Sequence, residues 1–96
     1  MERLYETTFI LKPDLEEEDR DNLLERIKNI IPDNGGEIVE VDIWGKRKLA
    51  YEINDYRTGF YTVIVFRGNV EVVNELERNF KIIDNVLRSL VIRKEK

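Results

Sequence analysis

The sequence contains no cysteine and no histidine. No disulfide framework can form, and no thiolate or imidazole metal site can be built. Serine–histidine and cysteine–histidine catalysis are excluded as well. No metal site and no cofactor are expected. Absence of cysteine is compatible with a reducing cytosol. The chain also lacks any apolar run approaching the roughly 18–20 residues of a membrane span. Its first residues, MERLYETTF, show neither the long apolar segment nor the small-residue cleavage site of a signal peptide, so none is expected. No linker, repeat or low-complexity segment interrupts the chain, and residues 1–96 are expected to form one domain.

Charge is what the chain has in excess. Charged residues make up 38% of the composition, well above the usual quarter. Such a surface suits a very soluble protein, a thermophilic one, or one that meets charged partners. The net charge of −4 argues against a nucleic-acid binder when the chain is taken whole. Its distribution says otherwise. Residues 14–25 hold seven acids (Asp14, Glu16, Glu17, Glu18, Asp19, Asp21, Glu25) against Arg20 alone. Residues 78–96 hold six cations (Arg78, Lys81, Arg88, Arg93, Lys94, Lys96) against Asp84 and Glu95. A local positive patch is what meets phosphate.

Hydrophobic periodicity divides the chain into six elements. Residues 3–12 are rich in aromatic and β-branched types and stop at Pro13, which reads as a strand. Asp14 stands three before Glu17, a capping-box spacing, and Leu23, Leu24, Ile27, Ile30 and Ile31 then form a helical stripe. Pro32 and Asp33-Asn34-Gly35-Gly36 are expected to end that helix. From residue 37, Val39, Val41 and Ile43 alternate with Glu40 and Asp42. After WGKRK, Leu49, Tyr51 and Ile53 resume the odd positions, predicting one long strand bent or bulged near Gly45 with a single core parity. Residues 54–59 read as a turn. Residues 60–66, FYTVIVF, are apolar on both faces, as in a central strand. Asn69 is placed to cap a short helix carrying Val73, Leu76 and Phe80, and residues 85–93 read as the last strand.

The order β-α-β-β-α-β predicts an α+β ferredoxin-like sandwich: a four-stranded antiparallel sheet in the order 4-1-3-2, with two helices on one face. The other face is left uncovered as a candidate binding surface.

The acids of residues 14–25 crowd a helix start, where they complement the dipole and offer no desolvated cleft for acid–base chemistry. Gly35-Gly36 precedes a strand and lacks the Lys-Ser/Thr of a phosphate loop. Residues 57–66 bear a loose likeness to the base-stacking motif of RNA-recognition domains, with Phe60 or Tyr61 as the stacking ring. Packing is the plainer role for both rings. Lys46, Arg47 and Lys48 follow the only tryptophan, Trp44. By alternation Lys46 and Lys48 share a face with Trp44, Glu40 and Asp42, while Arg47 falls on the core parity. An indole beside cations can stack on a base while the cations meet phosphate; equally, such charges deter edge-to-edge aggregation. Arg88, Arg93 and Lys94 form a second cluster on the last strand, and Arg3 and Tyr5 on the first strand complete the candidate RNA- or partner-binding set.

Several of these segments together resemble the bacterial small-subunit ribosomal protein S6 family along essentially the whole chain. The residues carrying the likeness are Tyr5-Glu6, Lys12-Pro13, Gly36, and the WG-x-R-x-LAY-x-I pattern from Trp44 to Ile53. Gly59-Phe60-Tyr61 and the D-x-VLR pattern from Asp84 to Arg88, followed by Leu90-Val91-Ile92-Arg93, complete them. The resemblance implies a non-enzymatic ribosomal constituent in the cytoplasm. It also implies a heterodimer with ribosomal protein S18 that binds small-subunit ribosomal RNA and helps assemble the platform, with no membrane and no small-molecule substrate involved. Many members carry a C-terminal extension, acidic in some; the sequence ends at Lys96, and functions tied to such a tail are not expected of it. The alternative is a non-ribosomal ferredoxin-like module that binds another protein or a small ligand. An acylphosphatase-type activity would need an arginine and an asparagine cradling phosphate in one loop, and no loop shows that arrangement clearly.

Overall fold

A computed structural model describes residues 2–94. Lys96, one of the basic residues near the C-terminus, lies outside the described residues. The elements are β1 (Arg3–Leu11), α1 (Glu17–Asp33), β2 (Glu37–Ile53), β3 (Tyr56–Gly68), α2 (Val70–Ile82) and β4 (Val86–Arg93). The four strands pair antiparallel in the order β2-β3-β1-β4, as the element pattern predicts.

Period-two alternation decides which side chains meet the helices. On β1, Thr7, Phe9 and Leu11 face them; on β3, Phe60, Thr62, Ile64 and Phe66 do. Leu24, Ile27 and Ile31 of α1 and Val72, Leu76 and Phe80 of α2 close over these positions. Phe9, Leu11, Ile27, Ile31, Ile64, Phe66, Val72 and Leu76 retain no exposed surface. Burial of such a side chain is worth about 1.5–3 kcal/mol. The Phe9 and Phe80 rings meet at 5.3 Å between centroids, joining sheet to α2.

The caps depart from expectation. Asp14 and Glu17 form no capping box: Glu16 is the N-cap of α1 and makes no side-chain cap bond. Asp14 instead accepts a hydrogen bond from the Tyr56 hydroxyl at 3.1 Å, tying the start of β3 to the connection between β1 and α1. The acids Glu17, Glu18 and Asp19 still occupy the first turn, where the helix dipole favours them. The other end of α1 falls where expected, within Pro32–Gly36: Asp33 is its last residue and Asn34 its C-cap, and the Gly36 amide then donates to the Ile31 carbonyl at 2.8 Å. Asn69 occupies the N-cap of α2, but its side chain makes no cap bond; its carbonyl accepts from the Val72 amide instead.

The turn between β2 and β3 is tighter than the six residues expected. Only Asn54 and Asp55 lie between the strands, both with positive φ (51° and 69°). That pair of left-handed residues is the type I′ geometry of a two-residue hairpin.

Candidate nucleic-acid interface

Strand β2 carries most of the chemistry, and three register shifts against β3 shape it. Glu37 and Ile38 pair with Arg67 and Phe66; Glu40 to Ile43 pair with Val65 to Thr62; Gly45 to Lys48 pair with Tyr61 to Thr58. Val39 and Trp44 are the extra residues at the first two shifts; the third falls between Lys48, opposite Thr58, and Ile53, opposite Tyr56. Gly45 sits at φ +80°, the left-handed conformation that lets a bulge form without Cβ strain. The bend expected near Gly45 is therefore present.

The bulge also changes which face each later side chain occupies, because one added residue inverts a period of two. Val41 and Ile43 share the helix-bearing side with Ile64 and Thr62. Beyond Trp44, Leu49 packs with Ile10 and Leu87 on the open side, and Ile53, Tyr56 and Tyr61 flank that cluster. The expectation of one core parity from Val39 to Ile53 is corrected: Leu49 seats a second, smaller cluster on the opposite face. Arg47, expected on the core parity, lies opposite Gly59 on the open side. Lys46 and Lys48 lie opposite Phe60 and Thr58 on the helix-bearing side and remain exposed.

Trp44 stacks on Tyr61 with ring centroids 6.0 Å apart and an interplanar angle of 14°. Its indole N–H donates to Asp42 Oδ2 at 3.0 Å, which fixes the ring's direction. With one face on Tyr61 and 44% of the residue exposed, the indole presents its other face to solvent. Phe60 is buried in the helix-side core, with the Arg20 guanidinium 4.4 Å from its ring centroid. It is therefore a packing residue rather than a platform for bases.

The remaining candidates divide between the two faces. Arg88 pairs opposite Ile10 on the open side, donates a hydrogen bond to the Tyr51 hydroxyl and places its guanidinium 5.6 Å from the Tyr51 ring centroid. Lys94 reaches Glu6 at 3.4 Å. Tyr5 stacks on Phe66 at 5.5 Å on the helix-bearing side, and Arg93 pairs opposite it. Arg3 lies two residues before Tyr5, at the far end of β1 from the cationic arm. The structure thus gathers Trp44, Arg47 and Arg88 on the open side, with Lys46 and Lys48 on the back of the same β2–β3 arm. It does not bring Arg3, Tyr5 or Arg93 to that group. Sequence reasoning passed over Tyr51, which gives Arg88 its position. It also passed over Leu90 and Ile92, apolar residues of the edge strand β4 that stay 58% and 46% exposed. The mixed pattern NVLRSLVIR was the available signal for the second pair.

A family model described as ribosomal protein S6 matches residues 4–93. The chain belongs to the ribosomal protein S6 family. Among S6 relatives, the small ribosomal subunit protein bS6 of Thermoanaerobacter pseudethanolicus is 55% identical over 91 residues, covering 95% of this chain and 96% of the relative. That of Clostridium novyi is 49% identical over 94 residues, covering 98% and 99%. The crystal structure of 30S ribosomal protein S6 from Thermotoga maritima superposes with a TM-score of 0.93 at 41% identity, over 98% of this chain and 89% of that one. S6 membership makes the chain a structural, non-enzymatic ribosomal protein of the small subunit, located with the ribosome in the cytoplasm. Among the described residues, no helix is long and apolar enough to cross a membrane.

Proposed function

We propose that this S6-family protein binds small-subunit ribosomal RNA as a heterodimer with ribosomal protein S18 and helps order the platform, residues 1–96 acting as one domain. The observation that carries the reading is the β2–β3 arm: Lys46, Arg47 and Lys48 stand exposed on its two sides, beside an indole with a free face. Cations on both sides of an arm can reach phosphates across a groove, and a free aromatic face suits an unpaired base. Phosphate contacts of this kind position the RNA and read little sequence.

The chain as a whole is acidic, at −4, so long-range repulsion offsets the local attraction. A basic partner removes that penalty. RNA affinity is therefore expected to be weak for the isolated chain and at least about tenfold tighter with S18, a gain of about 1.4 kcal/mol or more. Titration of a central-domain ribosomal RNA fragment, with and without S18, checks this; equal affinities in both cases would contradict it.

A further inference from the structure

The β2–β3 arm leans across the open face of the sheet. Leu49 of one edge strand, β2, packs with Ile10 of β1 and with Leu87 of the opposite edge strand, β4. Tyr51, two residues further along the same side of β2, thereby reaches Arg88 of β4. Arg88 borders a pocket of about 290 Å³ that Thr8, Ile10, Ser89 and Leu90 also line. That volume is at the small end for ligand sites and suits a single nucleotide. No carboxylate lines it.

Arg88 also keeps its charge for an outside anion. Arg57 is paired with Glu52 and Lys94 with Glu6, but Arg88 forms no ion pair among the described residues. Its partner is a neutral phenol: Nη1 donates to the Tyr51 hydroxyl, and the guanidinium carbon lies 5.6 Å from the ring centroid. Nε and Nη2 make no hydrogen bond among the described residues, and this free edge matches two oxygens of a phosphate. Arg47 is likewise without an ion pair on the open side; it lies opposite Gly59, which abuts Ile10. The pocket is thus continuous with the cationic arm.

We infer, on the basis of the RNA binding proposed above, that Tyr51 is a positioning residue: it holds Arg88 at the rim of this pocket, where Arg88 takes the phosphate of one unpaired nucleotide whose base enters the pocket. The base lies on the side chains of Ile10 and Leu90, and the Thr8 hydroxyl meets its polar edge. Tyr51 itself does not touch the nucleotide. It restricts a long, rotamer-rich side chain before binding, so less freedom is lost when the phosphate arrives. Charge complementarity selects the occupant, since an unpaired guanidinium beside a pocket without acids favours an anion with an apolar, flat body.

The test is the affinity of the S18 heterodimer for a central-domain ribosomal RNA fragment over a salt series. Arg88→Gln is expected to weaken binding at least about tenfold and to make the log–log salt dependence shallower by roughly 0.7–0.9, the share of one phosphate. Tyr51→Phe keeps the ring and its packing; it is expected to weaken binding about threefold with the salt slope unchanged, and to add no loss in an Arg88→Gln background. Leu90→Ala is expected to weaken binding about threefold, again with the slope unchanged. Additive losses from Tyr51→Phe and Arg88→Gln would show the two residues acting independently and overturn the positioning role. A wild type that binds while Arg88→Gln and Leu90→Ala stay within about twofold of it would overturn nucleotide binding in the pocket and leave RNA binding by the arm intact. A wild-type heterodimer that does not bind the fragment would overturn both. Loss of S18 from the Leu90→Ala protein in sedimentation would assign the pocket to a protein partner and overturn it as a nucleotide site.

Discussion

Gly59 and Gly45 are both required in the β2–β3 arm, for different reasons, and substitution separates them. A Cβ at Gly59 would stand 2.2 Å from Ile10 Cγ2, inside the open-face cluster. Gly59→Ala is therefore expected to lose about 1–3 kcal/mol through overpacking. At Gly45 a Cβ meets nothing within 4 Å, but φ is +80°. Gly45→Ala is expected to lose about 1–2 kcal/mol from backbone strain alone. Urea unfolding of the two variants measures both losses, and only Gly59→Ala should be relieved by a second change, Ile10→Ala. Tyr56 provides a pH-dependent residue. Burial, and then the hydrogen bond to Asp14, push its phenol above the ordinary tyrosine value of 10.0. A pKa raised on folding stabilises fully below that value, and the stabilisation is lost as pH rises through the folded pKa. The stability gap between wild type and Tyr56→Phe is thus expected to be constant near neutrality and to shrink above about pH 10. A gap that widened with alkalinity would reverse the assignment.

The six elements and the strand order were legible because their apolar residues repeat with the right period. Leu23, Leu24, Ile27 and Ile31 turn inward on α1 as the stripe predicts, and the two-sided apolar run of β3 lies between β2 and β1. The hairpin arm was less legible. Its alternation survives the bulge at Trp44 in the sequence while its faces exchange in space, since one unpaired residue leaves no trace in composition beyond Gly45. Alternation alone therefore puts Arg47 and the two neighbouring lysines on the wrong sides. The capping box failed because Asp14 found Tyr56, a partner distant in sequence, instead of a helix amide. The tight turn was obscured because Tyr56-Arg57-Thr58 look like loop residues although they continue β3. That turn yields its own prediction. Asp55 holds φ at 69° where the type I′ geometry favours glycine. Asp55→Gly is expected to stabilise the hairpin by up to about 1 kcal/mol, read as a raised melting temperature.

Over the whole molecule, charge is sorted by fold position. Acids collect on α1 and the first half of β2, while cations collect on the arm and β4. The sorting lets a protein of net charge −4 present a cationic pole and, elsewhere, an acidic one. On this reading the arm is the phosphate-binding pole of the ribosomal protein. Binding of the S18 heterodimer to a central-domain ribosomal RNA fragment across a salt series tests it, comparing wild type with Lys46→Gln/Arg47→Gln/Lys48→Gln. The substitution is expected to weaken binding by at least about tenfold and to make the log–log salt dependence shallower by roughly 0.7–0.9 for each phosphate that is no longer neutralised. An unchanged affinity with an unchanged salt slope would contradict it.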